Sequence, residues 1–200
     1  YINEILGTKQ GQSLDIAVDP LEGTNFTAKN LPNALSVLAV AEKGNILHAP
    51  DMYMQKIAIG PNLPNNLISL DFSVKKNIEL LSKAKNLPTN KLTACILDRP
   101  RHESIISALK ELDVNIVFIT DGDVNGLISV AYPNSNVDIF LGTGGAPEGV
   151  LAAAALHCLG GQMQARLVFN NLNEKKSAEM LGIKKFDKIY NLEDLIKGDV

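Results

Sequence analysis

The chain has 200 residues, 46% of them hydrophobic and 20% charged, with a formal net charge of −3; this describes an ordinary globular chain that can bury a core. That balance carries no basic footprint for nucleic acid, and no apolar run reaches membrane-spanning length, since Val150 to Leu156 is alanine-rich and short. The only cysteines, Cys95 and Cys158, both lie in apolar sequence and read as buried thiols of a reducing, cytoplasmic compartment.

Tyr1 is neither a start methionine nor part of a charged-then-apolar leader, so the sequence reads as part of a longer chain. Leu14 to Val18 is an apolar stretch with strand character, and it runs into Asp19-Pro20-Leu21-Glu22-Gly23-Thr24. Two carboxylates, Asp19 and Glu22, flank a proline-fixed turn and can offer oxygens to a hard divalent cation such as Mg²⁺ or Mn²⁺. Gly23 lets the backbone approach a phosphate, and the Thr24 hydroxyl can hold a water against it. The same residue types also serve as plain turn and cap chemistry, so the hexapeptide alone leaves both readings open. Next come a loop at Leu31-Pro32-Asn33, an apolar run from Ala34 to Ala41, a hairpin turn at Lys43-Gly44-Asn45, a return through Ile46 to His48, and alternation from Met54 to Ile59. Pro61 to Asn66 reads as an interdomain linker, and the pattern divides the chain into residues 1–70 and 71–200.

From Asp71 onward strands alternate with helices. A helix runs from Ser73, its N-cap, to Lys85, with Lys75, Lys76, Lys83 and Lys85 on a solvated face. A strand Leu92 to Leu97, a helix His102 to Leu112, a strand Val114 to Ile119, a helix through Leu127, a strand Val137 to Leu141 and a helix Pro147 to Cys158 follow. This alternation predicts an α/β layer with a largely parallel sheet, behind a first layer of α+β character. Ligands of such sheets gather at the carboxyl ends of the strands. Arg99-Pro100-Arg101, Asp121-Gly122-Asp123 and the glycine run Gly142 to Gly145 each follow a strand end, which suggests one pocket.

Each of these loops admits two readings. The arginines are either helix-entry surface residues or a fork for a phosphate. Asp121-Gly122-Asp123 is either a strand-to-helix turn capped by Asp123 or a set of hydroxyl acceptors. Gly-Thr-Gly-Gly before Pro147, taken at helix position N1, exposes backbone N–H groups at a positive helix end, and Glu148 in that first turn suits the dipole whether or not it does more. Tyr53 is either core or a ligand contact. His48, His102 and His157 have no metal-ligand spacing, and no chemistry is assigned to them.

Asp-Pro-(Ile/Leu)-(Asp/Glu)-Gly-(Thr/Ser) resembles the metal motif of the lithium-sensitive sugar and inositol phosphatase superfamily. With Glu22 in the second acidic position, and with Ala49-Pro50-Asp51-Met52-Tyr53-Met54, Arg99-Pro100-Arg101-His102, Asp121-Gly122-Asp123-Val124 and Gly144-Gly145-Ala146-Pro147-Glu148-Gly149-Val150 in order, the chain resembles the class II fructose-1,6-bisphosphatases. The similarity runs from about Asp15 to Leu167 and more loosely to Val200. It implies a sugar-phosphatase-like two-domain fold whose N-terminal part is incomplete here. Further acidic ligands and a lysine are expected upstream of Tyr1, and a continuation is expected beyond Val200.

The resemblance also implies roles. Asp19, Glu22 and Glu148, helped by the Leu21 carbonyl, would hold Mn²⁺ or Mg²⁺, and Asp19, Glu22 and Thr24 would form the catalytic group. Glu22, Gly23, Thr24, Tyr53, Arg99, Pro100, Arg101, Asp121, Gly122, Asp123 and Gly145 would line the substrate site. The implied reaction is metal-dependent hydrolysis of the 1-phosphate of fructose 1,6-bisphosphate, a gluconeogenic step of carbohydrate metabolism. Sedoheptulose-1,7-bisphosphatase activity and a non-catalytic sugar-phosphate-binding module are the alternatives. The expected partner is a small sugar bisphosphate, with no nucleic acid and no membrane, and relatives' habit of forming dimers or tetramers gives an expectation of a homo-oligomer. The 200-residue chain, with three of the carboxylates, is expected to be inactive by itself and prone to associate through strand residues such as Val37 and Val40.

Overall fold

The computed structural model describes residues 4–200. Tyr1, which carries the expectation of a longer chain, lies outside the described residues. The fold is mixed α/β, in four layers. The first is a two-stranded antiparallel sheet of β1 (Leu14–Glu22) and β2 (Leu35–Glu42), linked by the short helix α1 (Thr24–Ala28). Strand alternation assigns its faces: Ala17, Val37 and Ala39 pack inward, while Ile16 with Val40 and Val18 with Leu38 form cross-strand pairs on the exposed side.

Later elements build a six-stranded sheet. They are β3 (Tyr53–Ile59), α2 (Val74–Lys85), β4 (Thr93–Leu97), α3 (Glu103–Glu111), β5 (Asn115–Ile119), α4 (Asp123–Ile128), β6 (Ile139–Gly145), α5 (Ala146–Leu159), β7 (Gln162–Val168), α6 (Leu172–Met180), β8 (Tyr190–Asn191) and α7 (Leu192–Leu195). The strand order is β5-β4-β6-β3-β7-β8. Ile78 and Leu81 of α2 and Leu109 of α3 cover one face, over Ile57, Ile59, Ile139 and Leu141. Val124 and Leu127 of α4 and Val150, Leu151 and Leu156 of α5 cover the other, over Met54, Ala58, Phe140 and Leu167.

Helix α5 lies between the two sheets and touches β1 and β2 as well as β3 and β6. Ala152, Ala153 and Ala154 are buried together, so the helix has no solvent face to make polar, and its small side chains let both sheets approach. Ser73 caps α2 as its sequence requires, its hydroxyl accepting from Lys76 N–H at 3.2 Å.

Several expectations need correction. The sheet is not largely parallel: β5-β4-β6 is, but β6-β3, β3-β7 and β7-β8 are antiparallel. Strand β3 from the first part of the chain pairs with β6 and β7, so sheet membership changes between Glu42 and Tyr53, upstream of residue 70. The Pro61 to Asn66 segment is tethered to β7, with Leu63 and Pro64 carbonyls accepting from Gln162 Nε2 at 2.9 and 3.2 Å. Ile46 to His48 do not return along β2: Ile46 bridges Ile196, and Leu47 N–H donates to the Leu195 carbonyl. The glycine run belongs to β6, and α5 starts at Ala146, so Pro147 is its second residue. Cys95 is buried and its thiol is pushed up to about 12 by burial, whereas Cys158 is exposed. No described helix is long and apolar enough to cross a membrane.

Candidate metal and phosphate site

The acidic motif does not follow β1 but ends it. Register against β2 slips between Asp19 and Glu22, the local irregularity of a bulge, and this turns both side chains toward the second sheet. Asp19 Oδ1 accepts from Leu21 N–H at 3.0 Å, which tightens the turn around Pro20. Glu22 is buried, and its Oε1 accepts from Val124 N–H at 3.0 Å in the first turn of α4. From the other side, β6 and the Gly145 cap deliver Glu148 in the first turn of α5. Carboxylate oxygens of Asp19, Glu22 and Glu148 all lie within 4.8 Å of one another.

Three acids so close repel when ionised, and their surroundings strengthen this. Burial pushes the Glu22 carboxyl up to about 7; the Val124 N–H opposes the rise, and Asp123, Glu148 and Asp19 add to it. Burial likewise raises Glu148, against its own backbone N–H, with Asp123 adding to the rise and the Lys56 ammonium opposing it. Glu148 Oε2 is buried and makes no hydrogen bond among the described residues. An orphaned carboxylate oxygen in an all-oxygen cluster of three acids fits a hard divalent cation, which would satisfy the oxygen and offset the repulsion.

Two glycines with left-handed backbone bring the loops together. Gly23 (φ 80°) caps α1 and Gly122 (φ 73°) caps α4, a conformation that L side chains rarely adopt. Both sit against the Phe26 ring, where an added Cβ would come within 2.8 Å at Gly23 and 2.9 Å at Gly122. Asp121 Oδ2 then accepts from Asn25 N–H at 3.0 Å, tying the loop after β5 to α1. Thr24 is exposed at the start of α1, with no side-chain hydrogen bond among the described residues.

The remaining residues gather at the same end of the sheet, where Tyr53 pairs with Gly145. Arg101 Cζ lies 4.9 Å from the centre of the Tyr53 ring, and its Nε and an Nη donate to the Thr143 carbonyl at 3.0 and 2.7 Å. Arg99 donates to the carbonyls of Asp98 and Thr120 at 2.9 and 2.7 Å, so its guanidinium clamps the loops after β4 and β5. Pro100 opens the turn between these arginines. Asp123 is buried and paired with Lys56. The α5 terminus is less open than its sequence suggested, because Ala146 N–H donates to the Met52 carbonyl at 2.8 Å.

Sequence reasoning missed two buried polar residues. His102 Nε2 accepts from Thr143 N–H at 2.8 Å, so Nδ1 carries the proton and donates to the Leu97 carbonyl at 2.7 Å. Burial holds this imidazole below its ordinary range. It braces β4 against β6 beneath Arg101. Lys56, on the central strand β3, gave no signal at all in a segment that otherwise reads as core.

The chain is similar to known proteins of one family. The model of the family described as bacterial fructose-1,6-bisphosphatase, glpX-encoded, matches residues 1–200. A fructose-1,6-bisphosphatase class 2 from Haemophilus influenzae is 38% identical over 212 residues, which cover 100% of this chain and 63% of the relative. Fructose-1,6-bisphosphatase 1 class 2 from Escherichia coli K12 is 45% identical over 168 residues, 84% of this chain and 50% of the relative. The chain thus spans between half and two thirds of the length of these relatives.

Proposed function

This chain belongs to the glpX-encoded bacterial fructose-1,6-bisphosphatase family, and from that premise we propose that it carries metal and substrate residues of a phosphatase acting on the 1-phosphate of fructose 1,6-bisphosphate. The observation that carries the reading is the meeting of Asp19, Glu22 and Glu148, with one buried oxygen of Glu148 unpartnered among the described residues. These three, with the Leu21 carbonyl, would hold Mn²⁺ or Mg²⁺. When bound, such a cation supplies Lewis acidity toward phosphoryl oxygen and water and neutralises charge developing on the leaving group.

The chain's own residues do the positioning. The Gly23 backbone lets the reacting phosphate close to α1, and the Thr24 hydroxyl orients a water for in-line attack. Arg101, stacked on Tyr53, takes the distant phosphate, with Arg99 and Pro100 holding the loop that presents it. Asp121, Gly122 and Asp123 face the sugar hydroxyls between the two ends, and Gly145 leaves room beside Glu148. Anchoring the distant phosphate converts binding energy into alignment of the reacting one. A cytoplasmic, homo-oligomeric enzyme is part of the same proposal.

The test is phosphate release by the full-length natural protein from fructose 1,6-bisphosphate and from sedoheptulose 1,7-bisphosphate, with Mn²⁺ or Mg²⁺ and with chelator. Release that requires the cation and favours the fructose compound is expected. Binding without release would favour a sugar-phosphate-binding module, and release indifferent to chelator would remove the metal from the account.

A further inference from the structure

Lys56 is fully buried on β3, and its Nζ donates to Asp123 Oδ2 at 2.5 Å. A buried ion pair costs desolvation that an apolar pair of similar volume avoids, so it contributes little net stability. The fold nevertheless makes room for it twice. A Cβ at Gly149 of α5 would come within 3.1 Å of Lys56 Cε, and one at Gly144 of β6 would come within 2.0 Å of Asp123 Oδ2 and 3.3 Å of Lys56 Nζ. The ammonium has three donors and, among the described residues, one hydrogen-bond partner. Asp123 Oδ1 makes no hydrogen bond among the described residues and, though the residue is largely buried beside the acid cluster, this oxygen is not fully enclosed.

We propose that Lys56 is a positioning residue for sugar recognition: it holds Asp123 by Oδ2 and leaves Oδ1 as the acceptor for a substrate hydroxyl. This rests on the fructose-1,6-bisphosphatase reading above. Packing against Gly149 fixes the lysine stem, Gly144 leaves room for the ion pair itself, and that single ion pair fixes the carboxylate plane. Lys56 touches no substrate itself; its effect passes through Asp123.

A double-mutant cycle in the full-length protein tests this, using K56M, D123A and K56M/D123A, with KM and kcat for fructose 1,6-bisphosphate and Mn²⁺ affinity as readouts. K56M is expected to raise KM at least tenfold while kcat and Mn²⁺ affinity stay within about threefold. In the D123A background the same change should alter KM by less than twofold. K56L, which likewise removes the donor to Asp123, is run in parallel, so that a folding failure of K56M leaves a decisive arm; it too should raise KM. An unchanged KM in either folded variant, or KM increases that multiply in the double variant, overturns the role of Lys56. A wild-type protein that does not hydrolyse the bisphosphate sinks the phosphatase reading and this inference together, whereas an active wild type with indifferent Lys56 variants sinks this inference alone.

Discussion

Glu22 is pulled two ways: burial among three other acids favours its protonated form, while a backbone N–H favours its charged form and is outweighed. Its carboxyl is raised to about 7, so the folded protein holds a proton that the unfolded chain releases near pH 4.5. Metal-free stability should therefore fall as pH rises from about 4.5 to about 7, by up to about 3 kcal/mol from this group. E22Q keeps an acceptor for Val124 and removes that charge, so with chelator present it should unfold at higher urea than wild type at pH 8 and at equal urea at pH 4. The same variant should lose at least a hundredfold in metal-dependent turnover. A parent that outlasts E22Q at pH 8 would contradict the assigned environment. Arg101 makes a separable prediction. R101A should raise KM for the bisphosphate at least tenfold while leaving Mn²⁺ affinity alone, and Y53F, which keeps the ring under the guanidinium, should cost less. Asp19, Glu22, Arg101 and Glu148 were legible in the sequence because their motifs are local. Lys56 and His102 were not, because each is a lone polar residue whose meaning depends on a partner 67 or 41 positions away.

At the scale of elements, the β6-to-α5 junction does the delivering. Gly145 has an ordinary extended backbone (φ −63°, ψ 143°), so a side chain there would strain nothing locally. An added Cβ would nevertheless lie 1.9 Å from Glu148 Oε2. G145A should therefore displace that carboxylate and raise the Mn²⁺ concentration for half-maximal activity at least tenfold, with little change in melting temperature; an unaltered metal requirement would show that Glu148 does not act from this position. Caps and periodicity made most helices and strands up to α5 readable, as Ser73 and the Leu92 to Leu97 run illustrate. Strand direction was not, since the antiparallel half of the sheet depends on β3 inserting between β6 and β7. Beyond α5 the strand β7 went unread: its alternation of Gln162, Gln164 and Arg166 with Met163, Ala165 and Leu167 is a half-buried strand, but it carries no motif.

In the whole molecule, two sheets of unequal security meet at α5, and Asp19 and Glu22 on β1 reach Glu148 on α5 across that seam. Among the described residues the β1–β2 pair has no third strand, and it leaves Val18 60% and Leu38 64% exposed, whereas β3 and β6 are central in their sheet and covered on both faces. Hydrogen exchange should accordingly be slowest at residues 57–59 and 139–141 and fastest, among the strands, at 14–18. Mn²⁺ should slow exchange at 19–22 by drawing β1 onto α5, and protection confined to one side of the seam would contradict a shared site. The central claim is that Asp19, Glu22 and Glu148 hold one cation between them. Its most direct test is Mn²⁺ binding, followed by electron paramagnetic resonance, to the full-length wild-type protein and to D19N, E22Q and E148Q. Each substitution is predicted to weaken binding at least tenfold in a protein that remains folded, and wild-type affinity in all three would contradict the account.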